Sequence, residues 1–250
     1  MAAKLYVILG SHACRTGMLL LEHKGIPYSR VELPTGLHPV ALRVLGFSGN
    51  RERIRELSDR PSPVVGMLDR LGTVPALRMN GDRVKTNRGI ARYLDEVRPD
   101  PPLFPADGER RRAVEEAEAW GDDVLQMAAR RLTSAASMRG PSAMHRRGND
   151  GRLGPMLWRN ARVRQAGVGM VRVAFGADER AEAMLREQLP EMLDRVDGWI
   201  ASGVLNGAEL NAADHMIVTS LALLSYVNDL RPALEDRPLT AMLDRVLPEP

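Results

Sequence analysis

Residues 5–28 read LYVILGSHACRTGMLLLEHKGIPY, and they decide the fold. The apolar, partly β-branched run at 4–9 stops at Gly10, the pattern of a short buried strand. Residues 14–24 carry a helical pattern, and Gly25 suits the left-handed residue that closes a helix. The next segment, IPYSRVEL (26–33), reads as a second strand. A helix between two strands carries the chain back to the same end of the sheet. The two strands are therefore expected to be parallel, in a βαβ unit.

Further along, residues 37–47 suggest a short helix, and the polar stretch 48–72 reads as an insertion or long loop. TVPALRM (73–79) predicts a strand, NGD a tight hairpin turn, and RVK (83–85) the returning strand. NRGIARYLDEVR (87–98) is amphipathic, with Ile90, Tyr93, Leu94 and Val97 at i, i+3, i+4 and i+7. Proline-rich PDPPLFPADG (99–108) is the natural boundary, which gives a mixed domain at 1–98, a linker at 99–108 and a second domain at 109–250. No strand is expected in the second domain. Its first segment, 109–138, reads as one long helix with Val114, Ala117, Trp120, Val124, Leu125, Ala128 and Leu132 on one face. Glycine and proline make 139–155 a loop, and helices follow near 155–175 and 178–202. In LNAADHMIVTSLALLSYVNDL (210–230), Asn211 can cap a helix and Asp214 can reach back to the cap amide. The run behind them is apolar all round, which describes a helix at the centre of a bundle.

Composition narrows the class. Hydrophobic residues make up 44% and charged residues 27%, values ordinary for a soluble globular protein, and no apolar run is long enough to span a bilayer. One cysteine excludes an internal disulfide, and the N-terminus reads as a strand rather than a leader, so a cytoplasmic setting is expected and no membrane association. The net charge is only +3, but ten arginines lie between positions 130 and 172 against a single acid, Asp150. That segment should attract anions. Nucleic acid is not the expected partner, because few aromatics are interleaved with the arginines. The five histidines (12, 23, 38, 145 and 215) show no metal-binding spacing, so no metal is expected, and there is no phosphate-binding glycine loop. His215 reads as a satisfied structural histidine.

Four local motifs, in order, resemble the cytosolic glutathione transferase superfamily. They are the opening strand–turn–helix with its KGI before strand two, GTVPAL with Pro75, KTNRGIARYLDE, and LNGAELNAADHMI. The resemblance covers most of the chain. It implies a thioredoxin-like α/β N-terminal domain and an all-α C-terminal bundle. It further implies a thiol co-substrate, an electrophilic small-molecule substrate and a homodimer. The strong content of arginine, alanine and glycine is that of proteins from GC-rich bacterial genomes, some of which use thiols other than glutathione.

By the same resemblance, Ser11 stands where serine- and cysteine-type members carry the catalytic group, and Cys14 stands three residues on. Ser11 would donate a hydrogen bond to a bound thiol and favour the thiolate. Cys14 could form a mixed disulfide. A cysteine there more often lies packed beneath the helix as an inert core residue. His12 is either a donor in the site or, preferably, a solvated turn residue. Val74, before a cis Pro75, would offer its backbone to a peptide-like ligand. Thr86 and Asn87 occupy positions where the family commonly has an acid and a serine. Asn87 can hydrogen-bond a carboxylate, but Thr86 cannot balance an ammonium group. Hence the thiol is glutathione or another low-molecular-weight thiol. Met127, Arg130, Arg131 and Trp158 are expected in the wall of the electrophile pocket. The alternative is a non-catalytic ligand-binding or protein-association module on the same fold.

Overall fold

The computed structural model describes residues 3–47, 73–145, 150–155, 169 and 175–250. The expected insertion at 48–72, most of the helix expected near 155–175, and Trp158 lie outside the described residues.

The N-terminal half runs β1 (Ala3–Val7), α1 (His12–His23), β2 (Tyr28–Glu32), α2 (His38–Val44), β3 (Ala76–Met79), β4 (Asp82–Lys85) and α3 (Asn87–Val97). The sheet order is β2-β1-β3-β4. β1 and β2 are parallel, with Ala3 opposite Tyr28, whereas β3 is antiparallel to both β1 and β4. Alternation along β1 sends Leu5 and Val7 to one face and Tyr6 to the other. Leu5 and Val7 join the main core beneath α1 and α3, while Tyr6 packs edge-on against Phe47, with Leu42 of α2 in the same cluster. Helix α1 begins at His12, two residues earlier than its pattern suggested, because Ser11 serves as its N-cap. Gly25 is left-handed (φ 58°), as expected of a closing residue.

The second half is helical: α4 (Gly108–Trp120), a π-helical turn (Gly121–Leu125), α5 (Gln126–Arg139), α6 (Glu179–Ala201), α7 (Ala212–Ser225), α8 (Arg231–Leu234) and α9 (Pro238–Val246). A short antiparallel ladder interrupts it, β5 (Asp150–Gly151) with β6 (Gly154–Pro155), where the sequence suggested only a loop. Residues 212–224 of α7 are all buried. Asn211 accepts hydrogen bonds from the Ala213 and Asp214 amides (2.9 and 3.3 Å), and Asp214 accepts from the Asn211 amide (2.8 Å). α1 packs directly on α7, and the Thr16 and Thr219 hydroxyls meet at 2.8 Å in that contact. One hydrophobic core thus runs from the sheet into the bundle. Among the described residues no helix is long and apolar enough to cross a membrane, and no cluster of three metal-ligating side chains occurs.

Candidate functional site

The site is built where β1 ends and α1 begins. Ser11 has extended backbone (φ −84°, ψ 111°), and its Oγ accepts the Cys14 amide at 3.2 Å. This satisfies one of the free N–H groups of the first turn. Ser11 is half-buried, and its hydroxyl keeps a proton that can rotate toward a ligand. Cys14 is buried beneath it. Burial pushes its thiol up to about 11, against opposing contributions from the Ser11 hydroxyl, the Ile8 backbone and Arg130. The Cys14 thiol is therefore protonated at neutral pH, a poor nucleophile, although the residue belongs to the cavity wall.

β3 and α3 approach α1 farther along, at Gly17. The Val74–Pro75 peptide is cis, and the β1–β3 ladder reaches only Ala76, which leaves Val74 outside it. Pro75 and Asn87 both close on Gly17 of α1, where an added Cβ would lie 3.2 Å from Pro75 Cβ and 3.6 Å from Asn87 Oδ1. Asn87 is buried, and its Oδ1 has no hydrogen-bond partner among the described residues. Thr86 caps α3, its Oγ1 accepting the Gly89 amide at 3.1 Å. Its φ of 62° is a rare value for a β-branched residue, a strain of the kind concentrated at functional sites.

A cavity of about 390 Å³ opens at Ser11. Its wall includes the β1–α1 turn, Arg15 and Met18 of α1, Arg30 and Glu32 of β2, the turn between β5 and β6, and Leu247 and Pro248 after α9. Met127, Arg130 and Arg131 do not line it. Met127 and Arg131 are buried inside the bundle, with Arg131 Nε donating to the Phe175 carbonyl at 2.7 Å. Arg130 bonds Gln126 at 2.9 Å and lies 4.4 Å over the Phe175 ring. His12 is also not a solvated turn residue. As the first residue of α1 it is buried, and burial together with Arg130 lowers its pKa to about 3, against a backbone hydrogen bond to Gln126.

No protein-family model matches the chain, and no curated protein matches it in sequence. Solved structures do match. A glutathione S-transferase of Ceriporiopsis subvermispora in complex with glutathione has a TM-score of 0.64 at 16% identity, covering 98% of this chain and 96% of that one. A glutathione S-transferase of Methylobacterium radiotolerans in complex with glutathione sulfonate has a TM-score of 0.56 at 17% identity, covering 98% and 90%. A GST-like protein from Pseudomonas syringae has a TM-score of 0.58 at 17% identity, and there the match covers 98% of this chain but 66% of the other. The fold is that of the glutathione transferases. At these identities the likeness is one of architecture.

On a glutathione transferase fold, Pro75 and Asn87 meet α1 at Gly17, whereas of the residues expected at the thiol site only Ser11 and Cys14 line the cavity; Val74, Pro75, Thr86 and Asn87 do not. Sequence reasoning missed the residues that give the cavity its charge, Arg15, Arg30 and Arg152. Arg152 stood out only as one of ten arginines. Its place depends on long-range contacts: the neighbouring Leu153 amide donates to the Tyr226 hydroxyl at 2.9 Å, and Arg152 pairs with Asp244. The expectation of an anion-attracting arginine segment also changes. Arg139 pairs with Glu182 and Asp229, and Arg131 is engaged internally, so part of that charge is spent within the fold.

Proposed function

We propose that this chain is a thiol-dependent transferase, which activates glutathione or another low-molecular-weight thiol for attack on an electrophilic small molecule. The observation that carries this reading is the half-buried Ser11 hydroxyl at the mouth of a ligand-sized cavity on a glutathione transferase fold. Ser11 donates its O–H to the thiol sulfur, which favours the thiolate, and the displaced proton passes to solvent. The thiolate forms a C–S bond as the leaving group departs with the bonding electron pair. The positive end of the α1 dipole and Arg15 further favour negative charge at that point. Cys14 supports the turn from below and takes no covalent part.

The test is a conjugation assay with glutathione and a panel of electrophiles. Ser11→Ala should lower kcat/KM about 10- to 100-fold, the worth of a hydrogen bond to a charged group, and Cys14→Ala should change it little. A Ser11→Ala variant as active as the parent would overturn the assignment.

A second reading, a non-catalytic binding module, is favoured by Thr86 and Asn87. The first spends its hydroxyl on the Gly89 amide and the second is buried against α1, so neither supplies a carboxylate for an ammonium group. Ligand binding indifferent to both substitutions, with no thiol turnover, would select it.

A further inference from the structure

We infer that the cavity at Ser11 takes an apolar molecule bearing a carboxylate. The inference deepens the proposed function by naming the electrophile class. It rests on that reading for the ligand's role as substrate, though not for its binding.

Three arginines from three separate elements line the cavity: Arg15 of α1, Arg30 of β2 and Arg152 of the turn between β5 and β6. Among the described residues Glu32 is the one acidic side chain in the wall. Each arginine is held by one carboxylate, Arg15 by Glu22 at 2.9 Å, Arg30 by Glu32 at 2.8 Å and Arg152 by Asp244. Glu22 and Asp244 are not part of the wall. They orient the guanidinium groups without filling the space in front of them. A guanidinium carries five N–H donors, and a single carboxylate uses at most two of them in a fork. Arg152 gives its terminal nitrogen to Asp244, while its buried Nε has no hydrogen-bond partner among the described residues. A guanidinium oriented by one carboxylate keeps further N–H donors for a ligand anion.

The wall also carries apolar side chains, Ile8, Leu9, Met18, Leu153 and Leu247. Leu9 is among the few large apolar side chains the fold leaves exposed. A volume of about 390 Å³ suits a small organic molecule. An apolar body against these side chains with a planar anion toward Arg152 and Arg30 satisfies both parts of the surface.

Titration calorimetry with the full chain, without thiol, compares 4-phenylbutyrate with its neutral amide. The acid should bind about tenfold or more tightly than the amide. Arg152→Gln should remove most of that preference while leaving amide binding unchanged. Arg30→Gln, on an exposed strand residue, should act in the same direction and decides the matter if Arg152→Gln does not fold. Equal affinities for acid and amide, or no binding of either, would overturn the inference. Conjugation of an uncharged electrophile by the parent chain reports on the transferase reading alone, so the two proposals can fail separately.

Discussion

His215 shows how a residue can be structural without being satisfied. It is buried on α7, its ring 5.0 Å from that of His23 on α1, and neither ring nitrogen has a hydrogen-bond partner among the described residues. Burial lowers its pKa to about 3, with His23 and Arg15 adding to the effect. Unfolded, the ring takes its proton near pH 6.5; folded, only near 3. Between these values the unfolded chain binds more protons, so this contribution is complete above pH 6.5 and is lost as pH falls. Buried carboxyls act in the opposite sense: burial raises Glu118 to about 7 and Asp122 and Asp214 to about 6. Their contribution is present at low pH and lost as pH rises through 6 to 7. The whole-protein profile mixes the two, so the test must be differential. Relative to His215→Leu, the parent should lose about 3 kcal/mol between pH 7 and pH 4. Parallel melting curves for the two across that range would show that the ring does not titrate as its burial implies.

The long helix expected at 109–138 is present in outline but is broken by the π turn at Gly121–Leu125. The extra residue per turn rotates the inward face, so Gly121 and Leu125 are buried while Trp120 and Val124 move to its edge. Gly121 is where this turn meets α7: an added Cβ would lie 2.9 Å from Ile217 Cγ1 and 3.0 Å from Met216 Cγ. In an open helix, Gly→Ala gains about 1 kcal/mol. Here the clash should dominate, and Gly121→Ala should destabilise by about 1–3 kcal/mol in denaturant titrations. A stabilised variant would mean that α7 can move aside freely. The same contrast explains what the sequence made legible. The βαβ unit, the hairpin at β3 and β4 and the Asn211 capping box depend on neighbours within a few residues, and their patterns were readable. The π turn, the burial of His12 against Gln126 and Arg130, and the placement of Arg152 by Tyr226 and Asp244 depend on partners far along the chain. The Ser11 turn was singled out by the family resemblance, while its cap went unread and the apolar pattern started the helix at residue 14. The cavity the turn opens into was not legible, because four separate parts of the chain contribute to its wall.

At the scale of the molecule, the two halves are joined by more than the α1–α7 contact. Lys24, at the end of α1, is fully buried. Its ammonium donates to Asp95 at 2.7 Å and to the carbonyls of Pro99 and Pro101 at 3.2 and 2.6 Å, which uses all three of its protons. Asp95 in turn accepts the Leu103 amide at 2.7 Å. The proline-rich linker, which offers few backbone donors of its own, is thus clasped by one lysine and one carboxylate. A paired buried charge adds little net stability over an apolar replacement of the whole pair, but removing one partner strands the other. Lys24→Met should therefore cost about 3–5 kcal/mol, leaving Asp95 and two linker carbonyls unmatched. Adding Asp95→Asn, which removes the stranded charge and still accepts the Leu103 amide, should recover part of that loss. A double variant as unstable as the sum of the single ones would show that the clasp is not a coupled unit. Full coupling would place the linker, and with it the docking of the bundle on the sheet, under the control of a residue that the sequence presents only as the first of the KGI that follows α1.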